Sequence, residues 1–295
     1  MTRVRQISRL ICWLCVVSIT TVYPAFTQEP KPERPPETNA PTDPAPTLFP
    51  HLRDERFWIS AQDNIIFQYH PSFAAKYTGP NSLRPHAESA TSNVGTLYLG
   101  YAPLRHTEIF FDVESADGGG LSDALGLAGF TNVDVVRNPQ LGVTPYIARG
   151  IIRQIIPLSK EEEEVERWPL SLASHLPVRR LEFRAGKFGM ADFFDVNSVG
   201  SDSHFQFMNW TMVNDGAYDY AADTRGYTVG VLAEYYDRGW AFRFSEALMP
   251  KVANGIDLQW NLRKARAENF ELELHRQILK SQTTVVKLLS FVNHA

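Results

Sequence analysis

Residues 180–185 read RLEFRA, and this stretch decides the fold because apolar and charged side chains alternate along it. Successive side chains of a β-strand point to opposite sides. The strand would therefore carry leucine, phenylalanine and alanine on one face, and two arginines and a glutamate on the other. Soluble β-sandwiches also alternate, but they rarely line a strand face with charges alone. A membrane-spanning barrel does so routinely, since its polar face borders a wet lumen.

Six further segments alternate in the same way, and their apolar positions are rich in aromatic residues. Short turns follow several of them, which is typical of an antiparallel meander of hairpins. With weaker segments included, about ten to twelve strands follow residue 51. We therefore predict an all-β chain folded as an antiparallel transmembrane β-barrel of the outer-membrane porin type. The further predicted strands cover residues 95–101, 108–115, 226–236, 240–246, 256–263 and 269–275.

The N-terminus reads as a secretory signal peptide over residues 1–27. Three arginines precede an apolar core at residues 10–22, and small residues favour cleavage before Gln28. The core is too short to span a bilayer comfortably. Cleavage removes both cysteines, Cys12 and Cys15, and changes the formal charge from −4 to −7, because three arginines and no acids leave. A disulfide-stapled fold and a nucleic-acid partner are both disfavoured.

Two further regions follow the predicted signal. Residues 28–50 contain eight prolines, which favours an extended Pro-rich periplasmic linker over a recognition element. Residues 51–295 hold all the predicted strands, and no run of about 18 apolar residues occurs in them. Any membrane crossing would therefore use strands, and a closed barrel is the strand architecture without unpaired edges in lipid.

Alternation also predicts which charged side chains face the lumen. Such groups offer directional hydrogen bonds to sugar hydroxyls, each weak enough to release the solute. They can equally pair across neighbouring strands and bind nothing, and both readings stay open. The lumen-facing set is Asp112, Glu114, Glu182, Arg184, Glu234, Arg243, Arg263, Glu271 and Glu273.

The segment from residue 189 to 223 is the better candidate for a constriction, because polar and aromatic residues are interleaved along it. Acids beside Asn and Gly also suit Ca²⁺. Their spacing does not match an EF-hand, and such residues mostly make Asx turns, so we expect neither a metal nor another cofactor. The candidates are Asp192, Asp195, Asn197, Asp202, His204, Asn209, Trp210, Asn214, Asp215 and Asp219, with Asp223 and Arg225 following.

The stretch from about residue 180 to 255 resembles the carbohydrate-selective outer-membrane porins of Gram-negative bacteria. The matching order of short motifs is fairly specific, although no single motif is diagnostic. The motifs are RAGKF at 184–188, DFFDVN at 192–197, Asp202, QFMN at 206–209, ADTRGY at 222–227, MP at 249–250 and ANG at 253–255.

The resemblance implies a wide β-barrel whose loops fold inward to form a constriction for sugars. It implies a passive channel for small carbohydrates in the bacterial outer membrane, with small sugars, membrane lipid and the outer-membrane assembly machinery as partners. This chain is shorter than such porins and ends in FVNHA without a closing aromatic strand. Whether the barrel is complete at its C-terminal end, and its oligomeric state, stay open.

Two other classes of function are considered. A secreted β-sandwich enzyme acting on carbohydrate could use paired carboxylates such as Asp192 and Asp195, and it should show polar residues where the outward aromatics stand. Ser203-His204 and Asn293-His294 do not establish a hydrolase, because nothing brings a serine, a histidine and an orienting group together. We expect no enzyme activity. A structural or adhesive barrel without transport is the third class.

Overall fold

The computed structural model describes residues 51, 55–125, 141–197, 214–279 and 282–294, without the side chains of residues 277–283. These residues lie in the compact unit Asn39–Ala295. They form eleven β-strands, short 3-10 helices that include Leu121–Ala124 and Met190–Asp192, and no α-helix. The strands are β1 Phe57–His70, β2 Glu88–Leu104, β3 Thr107–Gly118, β4 Tyr146–Pro157, β5 Glu162–Glu164, β6 His175–Pro177, β7 Arg180–Phe188, β8 Thr228–Asp237, β9 Trp240–Ala247, β10 Arg266–Leu279 and β11 Gln282–His294.

Nine strands form one antiparallel sheet in the order β1-β2-β3-β4-β7-β8-β9-β10-β11, and β5 pairs with β6 in a separate two-stranded sheet. The prediction of an all-β antiparallel fold is confirmed. Since direction alternates along nine strands, the edge strands β1 and β11 run the same way. No ladder joins these two edges within the described residues, so the sheet is open there.

The two ends of the sheet differ in their connections. One end carries the tight turns at residues 105–106 and 238–239, and it also carries the connection of β4 to β7 over residues 158–179. The other end carries long connections, of which residues 189–227 are one. We call these the short-turn end and the long-loop end. Porins place short turns on the periplasmic side and long loops outside.

The two faces of the sheet differ in chemistry as the alternation predicts. On β7, Phe183 is 43% exposed, whereas Glu182 and Arg184 beside it are buried. On β3, Phe111 is exposed while Asp112 is fully buried. The outer face is thus an apolar surface. Its exposed strand residues include Phe57, Ile59, Ile65, Phe67, Leu97, Ile109, Ile152, Val231, Trp240, Phe242, Phe270, Leu288 and Val292.

The inner face is covered by side chains from the connecting segments. One buried apolar cluster joins strand residues such as Trp58, Phe110 and Phe188 to loop residues such as Leu172 and Phe194. Burial of this kind stabilises the fold by about 25 cal/mol per Å² of apolar surface. The connecting segments therefore fold inward onto the sheet, and the core lies on its charged side.

Two details of the strand prediction are wrong. Residues 256–263 form turns instead of a strand, apart from a single bridge between Pro250 and Leu258. Tyr227, which falls within the predicted strand over residues 226–236, precedes β8 and is buried on the inner side, where its hydroxyl donates to Glu114. Gly226 adopts φ +93°, a left-handed conformation that favours glycine, and the chain changes direction there.

The predicted signal peptide at residues 1–27 and linker at residues 28–50 lie outside the described residues, so both stay predictions. Among the residues that are described, no helix has the length and apolar character needed to cross a bilayer.

Candidate functional site

Charged residues on the inner face form a belt across seven adjacent strands, from β3 to β11. Period-2 alternation on each strand brings them to the same side of the sheet. All but Lys287 are buried, and the five carboxylates are matched by five cations. We call this set the charge belt. It consists of Glu108, Arg153, Arg180, Glu182, Arg184, Glu234, Arg243, Glu271, Glu273 and Lys287.

The first half of the charge belt centres on Glu182. This carboxylate accepts hydrogen bonds from Nε of Arg153 at 2.8 Å, Nε of Arg180 at 2.7 Å and Nη2 of Arg184 at 2.8 Å. Arg153 also donates through Nη1 to Glu108 at 2.8 Å. Hydrogen bonds between charged partners are the strong ones, so these five side chains hold one another in fixed positions.

The second half of the charge belt centres on Arg243. Its Nε lies 3.1 Å from Glu234, and its Nη1 lies 2.7 Å from Glu271 and 2.6 Å from Glu273. Lys287 on β11 adds a further cation 3.0 Å from Glu273. Arg243 on β9 therefore pairs with three carboxylates from the two strands that flank it, β8 and β10.

Arg184 joins the two halves. It forms an ion pair with Glu234 on the neighbouring strand, and its guanidinium lies 4.8 Å from the ring centre of Phe193. The belt as a whole is electrically compensated. Because its acids and cations are buried and paired with one another, the belt gives the inner face little net field.

A second polar cluster lies nearer the long-loop end, around Arg149 of β4. The Nε and Nη2 atoms of Arg149 each lie 2.7 Å from a carboxylate oxygen of Asp192, which lies near the start of the long connection to β8. Its Nη1 lies 3.3 Å from Asp112 and 3.9 Å from Glu114 on β3. Arg149 thus ties the start of a loop to two wall strands.

Aromatic residues complete this second cluster. The hydroxyls of Tyr146 and Tyr227 donate to the two oxygens of Glu114, at 2.8 and 2.5 Å. The guanidinium of Arg225 lies 3.8 Å from the ring centre of Tyr146. Both members of this stacked pair are only half-buried. Planar guanidinium and phenol faces are surfaces on which apolar ring faces can pack.

Asp223 is held beside this pair by the backbone. Its Oδ1 accepts from the amides of Arg225 at 2.8 Å and Tyr227 at 3.1 Å, and its Oδ2 lies 3.9 Å from Lys187. Burial raises the pKa of Asp223, despite the opposing effect of these hydrogen bonds and the lysine charge. The carboxyl is therefore easier to protonate than an exposed aspartate.

The described parts of the connection, residues 189–197 and 214–227, contact the inner face at strands from β4 to β10. After the contact with Arg149, the amide of Asp195 donates to Glu271 of the charge belt at 2.7 Å. Further along, the Tyr218 hydroxyl donates to Asn269 at 2.9 Å, and burial raises the pKa of this phenol. Residues 198–213 between these anchors lie outside the described part of the chain.

Most of the predicted site residues that the structure describes lie on the inner face or on the inward-folded connection. Whether they line a substrate path stays a prediction. Four predicted residues, Asp202, His204, Asn209 and Trp210, lie outside the described residues. The strand members are Asp112, Glu114, Glu182, Arg184, Glu234, Arg243, Glu271 and Glu273, and the loop members are Asp192, Asp195, Asn197, Asn214, Asp215, Asp219, Asp223 and Arg225.

Arg263 is an exception, since it is exposed in a turn and does not face the belt. The neighbouring polar side chains form local turns instead of facing a lumen. The amide of Arg263 donates to Oδ1 of Asn261 at 3.1 Å, and the amide of Asn261 donates to Gln259 at 3.1 Å. Such bonds compete with a strand ladder, which explains why the alternating pattern does not form a strand here.

Sequence reasoning missed three of the central cations, namely Arg149 and Arg153 on β4 and Lys287 on β11. The register of β3 and β4 shifts where Asp112 faces Arg149 and Val113 faces Ile147. This bulge interrupts period 2. On β11, Lys287 stands between strand faces that are both apolar, so alternation gives no signal there.

Comparison with known proteins bears on the fold. No protein-family model and no curated protein matches the chain. Among solved structures, OprB of Pseudomonas putida, a carbohydrate-selective outer-membrane porin solved at high pH, matches 80% of this chain with a TM-score of 0.51 and 11% identity. The sheet has the porin fold. The chain spans about half of that porin, 52% of its length, and the likeness at this identity concerns the fold.

The porin fold agrees with the two faces of the sheet. Porins present an apolar band to lipid and a polar interior, and here the outer face is apolar and the inner face carries the charge belt. Among the described residues, no group of three or more His, Cys, Asp or Glu side chains is arranged to hold a metal ion.

Proposed function

We propose that the chain forms the wall of a passive outer-membrane channel for small carbohydrates. The observation that carries the proposal is the compensated charge belt on the inner face of a porin-type sheet. Its five acids and five cations pair with one another and leave that face polar but without a strong net field. A neutral solute rich in hydroxyls is the class of molecule that such a wall favours.

The outer face supports a location in the outer membrane. Its exposed aromatic and aliphatic residues lie on neighbouring strands of the sheet, as with Phe111 on β3, Ile152 on β4 and Phe183 on β7. A patch of this extent is unfavourable in water and favourable in lipid. Lipid is therefore a proposed partner, and insertion by the outer-membrane assembly machinery follows from the same proposal.

The half-buried pair of Arg225 and Tyr146 supports sugars as the solute. A pyranose ring has an apolar face and a rim of hydroxyls. The Tyr146 ring matches the former, and the Arg225 guanidinium and nearby Asp223 match the latter. We propose that this pair, in which Arg225 belongs to the inward-folded connection and Tyr146 to β4, contacts the solute near the long-loop end.

The outward aromatics disfavour a soluble carbohydrate-active sandwich. Such an enzyme requires two packed sheets of similar size, whereas the described residues give one nine-stranded sheet and a two-stranded hairpin. Asp192 is occupied by two hydrogen bonds from Arg149, which does not suit a free nucleophile or acid. The proposal therefore includes no enzyme activity. A structural or adhesive barrel is separated from a channel by measuring flux.

The experiment is liposome swelling with the full chain inserted in lipid vesicles. Neutral mono- and disaccharides are compared with zwitterionic amino acids of similar size. Faster swelling with sugars is the expected result. Equal swelling would leave a general channel, and absence of swelling with every solute, in vesicles that contain folded protein, would favour a structural or adhesive role.

A matched pair of variants tests the site. Arg225→Ala removes the guanidinium over Tyr146 and is expected to reduce sugar flux several-fold relative to amino-acid flux. Lys251→Ala removes an exposed cation from a turn, where its side chain is 54% exposed, and it should leave both fluxes unchanged. Equal effects of the two variants would contradict the role of Arg225.

A further inference from the structure

The connection between β4 and β7 is unusually long for the end of the sheet at which it lies. Residues 158–179 leave the sheet at the short-turn end, where the neighbouring connections at residues 105–106 and 238–239 are two-residue turns. The segment contains the β5–β6 hairpin and returns along the inner face. We call residues 158–179 the plug segment. In a porin orientation it stands at the periplasmic mouth.

A fully buried arginine anchors the plug segment to the edge of the sheet. Arg167 donates through Nε to the carbonyl of Leu172 at 2.8 Å, which fixes the segment's own turn. It donates through Nη2 to the carbonyls of Glu55 at 2.8 Å and Phe57 at 3.4 Å. The Phe57 carbonyl belongs to the first residue of the edge strand β1, and the Glu55 carbonyl lies two residues before that strand. A guanidinium buried in this way is held at one place, since burying it without partners would be costly.

The plug segment also contacts two residues of the charge belt. The amide of Ala173 donates to Glu108 at 2.9 Å, and Nη1 of Arg153 donates to the hydroxyl of Ser171 at 3.0 Å. Glu108 and Arg153 are only 1% and 2% exposed. The plug segment is therefore one reason why this part of the belt is shielded from water.

A glycine on β2 makes room for this contact. A Cβ atom at Gly100 would approach Cδ2 of Leu172 to 3.0 Å and Cβ of Trp58 to 3.2 Å. Leu172 is 3% exposed and belongs to the same apolar cluster as Trp58. The missing side chain at Gly100 thus leaves room on β2 for Leu172 of the plug segment.

At the rim, ion pairs hold the hairpin to the surrounding turns and strands. Two of the pairs are exposed, so they are worth little individually and are screened by salt. The third involves a buried arginine of the charge belt. The pairs are Glu161 with Arg238, Glu162 with Arg105, and Glu163 with Arg180.

We propose that the plug segment is a releasable gate that closes the short-turn mouth over β1 to β4. The inference rests on the proposed channel function. The closed and the open state are both physically reasonable, because the acids and cations of the charge belt pair with one another in each state. In the closed state Glu108 and Arg153 also bond the segment, and in the open state water replaces those bonds. Release must break the Arg167 contacts with β1, so this residue sets the stability of the closed state.

Cysteine accessibility tests release independently of flux. In the full chain carrying Cys12→Ser and Cys15→Ser, Leu172→Cys places a thiol under the plug, and His175→Cys places an exposed thiol on the same segment. With a membrane-impermeant maleimide, Leu172→Cys should react at least about tenfold more slowly than His175→Cys, as expected for a site reached by local opening. Adding Arg167→Met should accelerate Leu172→Cys and leave His175→Cys unchanged.

Conductance of the cysteine-free chain in planar bilayers tests the gate itself. Arg167→Met should increase the open probability or, at fixed salt, the conductance, and raised salt should increase the open probability by screening the rim pairs. Arg105→Glu and Glu162→Arg should each act likewise, whereas the double exchange should restore the wild-type value. If Arg167→Met does not fold, Arg167→Lys keeps the charge, loses hydrogen bonds to β1 and gives the same test.

The outcomes separate the gate from the channel. Equal labelling of Leu172→Cys and His175→Cys, or no acceleration by the Arg167 variants, would overturn the plug. Accelerated labelling with an unchanged conductance, in a protein that conducts, would overturn its role as a gate. Accelerated labelling without conductance in any variant or salt would count against the channel and would leave the releasable segment supported.

Discussion

The guanidinium of Arg149 donates two hydrogen bonds to the carboxylate of Asp192, with Nε and Nη2 each 2.7 Å from a different oxygen. Oδ2 of Asp192 also accepts from the amide of Gly189 at 2.9 Å, which fixes the first turn of the long connection. Arg149 lies on β4, and Asp192 lies in the connection that follows β7. This pair therefore holds the start of the connection against β4. Two-point guanidinium–carboxylate binding gives both strength and direction.

Arg149→Lys is therefore expected to loosen the long connection without unfolding the sheet. A lysine keeps the charge but cannot bind both oxygens of Asp192 in one plane. The loss should be about 1.5–3 kcal/mol of unfolding free energy, the range for hydrogen bonds to charged groups. The measurement is urea unfolding in lipid vesicles, followed by tryptophan fluorescence, together with the rate of proteolysis within residues 189–227.

Arg179→Lys is the matched control for this prediction. Arg179 pairs with Asp237 at 3.4 Å, and its side chain is 51% exposed. Exposed pairs contribute about 0–1 kcal/mol. Arg179→Lys should therefore change neither the unfolding free energy nor the rate of proteolysis appreciably. Similar losses from Arg149→Lys and Arg179→Lys would show that the two-point pair does not position the connection.

The outer position of Phe183 gives a second prediction. A charge there meets lipid, so Phe183→Arg should cost about 2–4 kcal/mol if the site lies near the bilayer midplane. Phe183→Leu keeps an apolar group and should insert as the wild type does. The measurement is the folded fraction in lipid vesicles, read from heat-dependent mobility on gels. Normal insertion of Phe183→Arg would reverse the assignment of the two faces.

The sheet was predictable where alternation and turn chemistry agree. The charged and apolar faces of β3, β7, β9 and the start of β10 follow from period 2 alone, because lipid and interior impose opposite preferences on neighbouring positions. The pattern failed at residues 256–263, where the side chains of Gln259 and Asn261 cap turns. Alternation reports a possible strand, but it carries no information about competing local hydrogen bonds.

The candidate site was predictable only in part. Glu182 and Arg184 were found from alternation, whereas Arg149 was hidden by the bulge opposite Asp112. The plug segment gave no signal beyond a run of acids, because the partners of Arg167 are backbone carbonyls far away in sequence. Pairing over such distances depends on which strands become neighbours, and a single sequence does not state this.

The crowding of carboxylates around Arg243 gives a third prediction. Removing this cation by Arg243→Met leaves Glu234, Glu271 and Glu273 close together with less compensation. Breaking a buried pair by deleting one partner costs about 3–5 kcal/mol, so the variant should be strongly destabilised. Adding Glu271→Met removes one of the uncompensated acids and should recover part of the loss.

A double-mutant cycle of unfolding free energies measures this recovery. Glu271→Met alone is the necessary reference, since it leaves Arg243 with two other carboxylates and should cost less than Arg243→Met. Strict additivity of the two changes would mean that the belt is hydrated and its members act independently. That result would also weaken the proposal that the belt is an organised wall.

The buried phenol of Tyr218 gives a prediction about pH. Its hydroxyl donates to Asn269 at 2.9 Å, and burial raises its pKa above the ordinary tyrosine value of about 10. The native state therefore favours the neutral phenol. Its contribution to stability is fully present below that ordinary value and is lost as pH rises through the native pKa, because the unfolded chain ionises first.

Tyr218→Phe separates this phenol from the other ten of the eleven tyrosines. In ultraviolet titrations of the native proteins, wild type and variant should release the same number of phenolic protons up to about pH 11, since Tyr218 stays neutral there. In denaturant, the wild type should release one more. The variant should also lose stability less steeply above about pH 10. If the native wild type released one more phenolic proton than the native variant below about pH 11, Tyr218 would be in contact with water. The long connection would then not be packed against β10 at this residue.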